Sequence, residues 1–396
     1  MGSVRDEAEA LAEEIAELRH AIHREPEIGL QLPKTQQKVL AALTGLPLEV
    51  ACGQGLTSVT AVLRGARPGK TVLLRGDMDA LPVTERSGVD YSSQISGVMH
   101  ACGHDTHVAM LAGAAKLLSN RRGELAGNVI FMFQPGEEGC GGARQMIEEG
   151  VLDAAGERPV AAYALHVASA EIPGGVFSSR GGPVLAASDS LEVTVHGRGG
   201  HGSQPFRAAD PIPAICEIVT ALQTMVTRRF DVFDPVVITV GSLHAGTARN
   251  VIPDDASFSA TVRTLSAQNR VAVRDACLAL VRNVADAHGL TADAEFGPGY
   301  PVTVNDPAEV ARAEQVITAA VGADRYVPQK DPDPGSEDFS YVLEQVPGAF
   351  ISLGACPPGT DPETAPANHS AEAVFDDAVL ADGTAVYAAL ALSALG

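Results

Sequence analysis

The chain has 396 residues, 49 of them Asp or Glu against 28 Lys or Arg, for a formal charge of −21, and 45% of it is hydrophobic. That length and apolar content suit two or three packed domains, while the acid excess excludes the basic surface needed to hold nucleic acid or an anionic membrane. No apolar run is expected to reach bilayer-spanning length, and the acidic stretch Arg5 to Glu14 lacks the basic-then-apolar layout of a signal peptide.

Residues 5–24 read as one amphipathic helix, with Leu11, Ile15, Leu18 and Ile22 at helical spacing and Pro26 and Gly29 ending it. From residue 56 short apolar runs alternate with helical stretches. Thr71–Leu74, Val129–Phe133 and Ala161–Leu165 read as buried strands, and Thr106–Leu118 as a helix. This alternation predicts an α/β fold with a mostly parallel central sheet and helices on both faces. Near residue 187 the texture changes. A strand at Leu191–Val195, a helix over 211–228, strands at Val236–Val240 and Ala256–Arg263, and a helix at Gln268–His288 form a compact α+β insert. The α/β texture resumes with a helix over 307–321, a strand at Ala349–Leu353 and a helix over 377–394. The expected organisation is a discontinuous domain, 1–186 with 299–396, interrupted by a second one at 187–298.

Polar clusters follow the predicted strands: Asp77 and Asp79 after the first, Glu137 and Glu138 after the second, His166 after the third. His100, Cys102, His104 and His107 precede a helix, and Asn368-His369 lies near the end. In open α/β sheets sites form at the carboxyl ends of strands, so these clusters are expected to converge. Thiolate, imidazole and carboxylate are the ligand set of zinc. Cys102 stands two residues before His104 and ahead of a helix N-terminus, which favours the thiolate. His107 reads instead as a surface histidine or one that supports the site. Of the adjacent carboxylates, one can bind metal while the other takes a proton from water, the division that metal-assisted hydrolysis needs. Mutual repulsion and partial burial would raise the free one's pKa. The other five cysteines (Cys52, Cys140, Cys216, Cys277 and Cys356) are scattered singly, which predicts reduced thiols and a cytoplasmic protein. Gly197-x-Gly199-Gly200-x-Gly202 matches a dinucleotide fingerprint, but Ser203-Gln204-Pro205 stands where its helix must begin.

The ordered set Arg-Gly-Asp-Met-Asp-Ala-Leu-Pro (75–82), His-Ala-Cys-Gly-His-Asp (100–105), Gln-Pro-Gly-Glu-Glu (134–138), Leu-His-Val (165–167), Gly-Arg-Gly-Gly-His-Gly-Ser-Gln-Pro (197–205), Asn-Val-Ile-Pro (250–253) and Gly-Ser-Glu-Asp-Phe (335–339) resembles the M20 metallopeptidase family. The likeness is to its amidohydrolase branch, which acts on N-acyl, hippuryl and indoleacetyl amino acids, and it covers essentially the whole chain. The resemblance implies two divalent metal ions held by Cys102, His104, Glu138, His166 and His369. Zinc suits the thiolate and imidazoles, and manganese or cobalt also suits the carboxylate. It implies Glu137 as general base and Asp79 as the carboxylate orienting a ligand. Asp77 stands where peptidase relatives have a ligand His and is left out of the ligand set. Asn368 replaces the Leu or His common before His369.

The insert resembles the family's lid, which is also its dimerisation domain, and a homodimer is implied. His201 would stabilise the oxyanion, from its own or a partner's chain. Asn250 would face the substrate, as would Gly335 and Ser336. Arg263 reads either as a clamp for the substrate carboxylate or as a structural salt bridge. The expected activity is hydrolysis of an N-acyl amino acid, a small-molecule substrate, to a carboxylic acid and a free amino acid. A dipeptidase or carboxypeptidase on the same scaffold is the alternative. A non-catalytic binding protein is disfavoured, because Glu137 and all five ligands are present.

Overall fold

The computed structural model describes residues 3–396, and the chain divides into two compact units. One takes in the chain up to Val184 together with Val304–Asp331 and Asp338–Gly396, and the other Leu185–Thr303 with the loop Pro332–Glu337. The first passage through the first unit carries α1 (Val4–Glu9), α2 (Ala12–His23), α3 (Pro33–Leu43), β1 (Leu48–Cys52), β2 (Val59–Arg64), β3 (Arg67–Asp77), α4 (His104–Asn120), β4 (Ala126–Gln134), α5 (Gly142–Glu148), β5 (Ala161–Ala168) and β6 (Phe177–Ser179). The short β7 (Gly182–Leu185) leads out. The insert carries β8 (Ala187–His196), β9 (Gly200–His201), α6 (Pro211–Arg229), β10 (Val236–Ala245), β11 (Val251–Ile252), β12 (Asp255–Thr264), α7 (Ala267–Ala287) and β13 (Thr291–Pro298). The return carries β14 (Thr303–Asn305), α8 (Pro307–Val321), β15 (Tyr326–Pro328), α9 (Ser340–Leu343), β16 (Gly348–Gly354) and α10 (Leu380–Leu395).

The first unit is built on a sheet in the order β1-β2-β4-β3-β5-β16-β6-β15. Its centre is parallel: β3 runs parallel to β4 and β5, and β5 to β16. The sheet is therefore mostly parallel, as the strand–helix alternation predicts. β3 is buried at every position from Thr71 to Asp77, because helices cover both faces of such a sheet. The expected helix over 5–24 is two helices. Leu11 N–H bonds the Ala8 carbonyl at 3.0 Å in a tight turn between them. α3 and the hairpin of β1 and β2 escape the sequence reading, since the polar first turn of α3 and the exposed β1 carry little hydrophobic periodicity. Asp377–Leu395 does reach the length and hydropathy of a bilayer span, contrary to expectation. Its apolar window is 72% buried inside the protein, which is the packing of a core helix: α10 contributes Leu380, Val386, Tyr387 and Leu390 to the main core.

The second unit is a four-stranded antiparallel sheet, β10-β12-β8-β13. α6 and α7 supply its core through Ile215, Ile218, Leu222, Val273, Cys277 and Val281. β13 is the strand that periodicity missed, since it offers only Ala292, Ala294 and Phe296 between exposed charges. The glycine-rich stretch at 197–202 leads into β9 and not a helix, and α6 begins only at Pro211.

Candidate active site

The site grows from the carboxyl ends of β3, β4 and β5, which lie side by side in the sheet. β3 delivers Asp77 and, just beyond, Asp79. The Asp79 carboxylate accepts the backbone N–H of Glu137 at 2.9 Å and of Glu138 at 3.0 Å. It thereby fixes the backbone of the turn after β4. The Asp79 backbone carbonyl accepts His104 Nδ1–H at 2.8 Å. That bond leaves His104 Nε2 buried and without a hydrogen-bond partner. His166, on β5, is held in the same way, with Nδ1 on the Val167 carbonyl at 3.0 Å and Nε2 turned to Cys102 Sγ at 3.5 Å.

Cys102 and His104 are placed by Gly103, whose φ of 77° is left-handed. A Cβ at Gly103 would come within 2.4 Å of the Val167 side chain and 3.0 Å of the Phe375 ring, so only glycine allows this approach. His369 also has a positive φ, 71°, and its N–H is tied to the Ala101 carbonyl at 2.8 Å. Asn368, the departure from the family pattern, pins this loop to the end of β5. Its Nδ2 donates to the Val167 carbonyl at 2.9 Å and its Oδ1 accepts Ser169 N–H at 2.9 Å. His369 Nε2 then lies 3.3 Å from Cys102 Sγ and 3.3 Å from Glu138 Oε1.

Among the donor groups of the described residues are Cys102 with His104 and His166, Cys102 with Glu138 and His369, and His104 with Glu137 and Glu138; two more join Asp77 with His104 and His107, and Glu137 with Glu337 and Asp338. Cys102 Sγ belongs to the first two, so one sulfur faces two clusters. Donor spacings of 3.3–3.5 Å match the edge, about 3.5 Å, of a tetrahedron with zinc-like bonds of roughly 2.0–2.3 Å. Electrostatics agree. Burial raises the Cys102 thiol, but the His166 and His104 imidazoles overcome this and hold it well below its ordinary pKa. His104 is carried well above the usual imidazole value: burial opposes this, but the Asp77 and Cys102 charges prevail. The Cys102 and Glu138 hydrogen bonds push His369 up to about 10. Burial raises the Glu138 carboxyl. An anionic donor set that gathers protons onto its imidazoles is one a divalent cation enters by displacing those protons. The residues fit a metal.

Two neighbours are already engaged. Asp77 gives one oxygen to Arg75 Nη1 and the other to His107 Nδ1, both at 2.5 Å. His107 Nε2 accepts Val167 N–H at 2.8 Å, and burial pulls this imidazole down to about 4 in spite of Asp77. His107 is thus a neutral prop with no free nitrogen. The sequence reading assigned no role to a buried group behind them. Arg75, Gln134 and Asp338 bond one another, with Gln134 Nε2 2.7 Å and Arg75 Nη2 3.1 Å from Asp338 Oδ1. This group ties β3 to β4 immediately before the glutamates. All three lie inside the recognised motifs, but a charged residue within a strand carries no signal of its partner.

In the second unit β9 pairs with β11, His201 opposite Val251, and Gly202 N–H bonds the Asn250 carbonyl at 2.8 Å. His201 and Asn250 therefore share one exposed ribbon, the His201 ring held by Ser203 Oγ at 2.9 Å. Arg263 is elsewhere. It sits near the far end of β12, eight residues beyond Asp255, a span of about 27 Å at ~3.4 Å per residue. It makes no ion pair among the described residues, and its Nη1 is buried without a partner. The salt-bridge reading of Arg263 therefore finds no acid. Gly335 and Ser336 lie in the loop that groups with this unit.

Residues 73–393 match Peptidase family M20/M25/M40. The chain is 38% identical over 98% of its length to thermostable carboxypeptidase 2 of Saccharolobus solfataricus, covering 97% of that protein. It is 34% identical to N-acetylcysteine deacetylase of Bacillus subtilis, over 85% of this chain and 87% of that one. Among solved structures it resembles a dinuclear metal-binding peptidase of the M20 family from Bacillus subtilis, with a TM-score of 0.84, 30% identity, and coverage of 98% of this chain and 99% of the other. With a matching sequence and a matching fold, the chain belongs to the M20/M25/M40 peptidase family, in its amidohydrolase branch.

Proposed function

We propose that this metal-dependent amidohydrolase cleaves N-acyl amino acids to a carboxylic acid and a free amino acid, using two divalent ions held by Cys102, His104, Glu138, His166 and His369. The observation that carries the reading is Cys102 Sγ shared by two donor groups, with the Glu137 carboxylate beside them. The donor types favour zinc, and manganese or cobalt also fits the carboxylate. Bound there, a divalent ion would acidify water and polarise the amide carbonyl.

The chain's own residues do the rest. Glu137 accepts the proton of the attacking water on a carboxylate oxygen as the new C–O bond forms. It then delivers that proton to the amide nitrogen as the C–N bond breaks. Asp79 holds the backbone that carries Glu137 and Glu138 and aims His104. His201 donates to the oxyanion, with Asn250 beside it on the ribbon. The unpartnered Arg263 guanidinium receives the substrate carboxylate as a bidentate pair. Gly335 and Ser336 line the pocket.

Since the ribbon and Arg263 lie at opposite ends of β12, one substrate meets both only when a second copy supplies the ribbon. This supports a homodimer through the insert, acting as lid and dimerisation domain. β10 is the open edge of its sheet and shows Val237 and Leu243 to solvent. Six free cysteines support a reducing, cytoplasmic setting. The likeness to a carboxypeptidase favours the second reading, peptide cleavage at the same site. The test is a panel of N-acetyl, N-benzoyl and indoleacetyl amino acids set against dipeptides, on metal-reconstituted protein. Free amino acid is expected from the acyl substrates alone; faster release from dipeptides would replace this reading with the peptidase one.

A further inference from the structure

Behind the metal donors lies a buried ionic cluster that the mechanism does not use. Arg19, on α2, is 1% exposed. Its Nε donates to Asp105 Oδ2 at 3.0 Å, and its Nη1 to the Phe375 carbonyl at 2.8 Å and to the Asp377 carboxylate. Asp105 follows His104 in the first turn of α4. Phe375 lies six residues after His369, and its ring packs against Gly103. One guanidinium therefore joins the segment bearing Cys102 and His104 to the segment bearing His369.

The His369 segment meets the Cys102 segment through His369 N–H on the Ala101 carbonyl at 2.8 Å and Asn368 Nδ2 on the Cys102 carbonyl at 3.4 Å. Arg19 adds a buried charged tie between the same two segments, from Asp105 next to His104 to the Phe375 carbonyl six residues beyond His369. A buried ion cluster is a weak source of stability, because desolvation offsets the attraction. A planar fork with fixed donor directions does fix geometry, which a lysine's point charge cannot.

We propose that Arg19 is a positioning residue that sets the spacing between the Cys102–His104 and His369 segments, and through it the affinity of the site for metal. The proposal rests on the ligand assignment above. The test measures the zinc dissociation constant of the full chain by competition with a chromophoric chelator. It also measures the melting temperature of the metal-free protein and KM at saturating zinc. Arg19→Lys is expected to weaken zinc binding about tenfold or more, the scale at which outer partners of ligands act, with KM unchanged. Arg325→Lys is the control. Arg325 also pairs with a largely buried aspartate, Asp382 at 2.6 Å, and bonds the Gly175 carbonyl, but it holds no ligand segment. It should lower the melting temperature and leave the zinc constant alone.

If Arg19→Lys does not fold, Asp377→Asn loosens the same fork at its partly exposed rim and should cost several-fold in affinity. An unchanged zinc constant in either folded variant overturns the proposal. Cys102→Ala in the same assay separates the two ideas. Zinc lost there but unchanged in Arg19→Lys removes the positioning role alone. Zinc unchanged in Cys102→Ala overturns both.

Discussion

Cys102 is the residue on which the proposed metal site turns, and its surroundings favour a thiolate there. The sulfur is buried at the start of α4 and flanked by His104, His166 and His369, so its anion is compensated from three sides. Cys102→Ala should lose at least one metal equivalent by elemental analysis; full metal content would reduce Cys102 to a buried thiol. Glu137→Gln keeps shape and removes the proton acceptor. It should lower kcat by roughly 10²–10⁴-fold with metal content unchanged, and a near wild-type rate would remove Glu137 as base. These residues were legible in the sequence because each stands next to another chemical group: Cys102 by His104, Glu137 by Glu138. Arg19 and Asp105 were not, since their meeting spans 86 positions and neither carries a local sign of the other.

At the scale of elements, the site is a set of loops held by what lies beneath them. α2 reads in sequence as an amphipathic helix with a polar outer face, yet Arg19 and His23 on it are buried. They face Asp105 and Glu85. The loop between β3 and α4, lacking helix or strand, is fastened by Glu85, which accepts Ser93 N–H at 2.6 Å and lies 3.1 Å from His23 Nε2. Burial lowers the His23 imidazole, but the Asp105 charge and the bonds to Asp105 and Glu85 carry it to about 9. A folded pKa above the unfolded value of about 6.5 makes a contribution that is complete below pH ~6.5. It is lost as pH rises through about 9, and amounts to on the order of 3 kcal/mol. The metal-free protein should therefore lose melting temperature between pH 6.5 and 10, and His23→Gln should flatten that fall. An identical slope in the variant would show that other groups cause it.

For the whole molecule, the charge of −21 opposes an anionic substrate at long range, so the proposed N-acyl amino acid needs local attraction, which the proposal assigns to the metals and Arg263. The proposed roles of the insert add a second requirement, because its ribbon and its Arg263 occupy opposite ends of one strand. On the proposed dimer, Leu243→Asp on the open edge of β10 should give a monomer in analytical ultracentrifugation and lower kcat, because the proposal has His201 act in the partner's site. A fully active monomer would place the ribbon in its own chain's site.

By itself the sequence determined the fold class and the family resemblance, and it proposed the interrupted layout and the donor residues. Period-2 and period-3.6 patterns, strand-end clusters and ordered motifs are local signals, each carried by a few adjacent side chains. It did not reveal β13 or the hairpin of β1 and β2, where small or exposed residues leave no apolar pattern. Nor did it show that α2 turns two cations inward. Only the tertiary structure decided which nitrogen of each histidine faces the site, that Asp77 and His107 are spent on other partners, and that Arg263 has no acid. Each is a matter of contact between residues far apart in the chain. Such contacts follow from how the elements pack, and packing is a property of the whole fold.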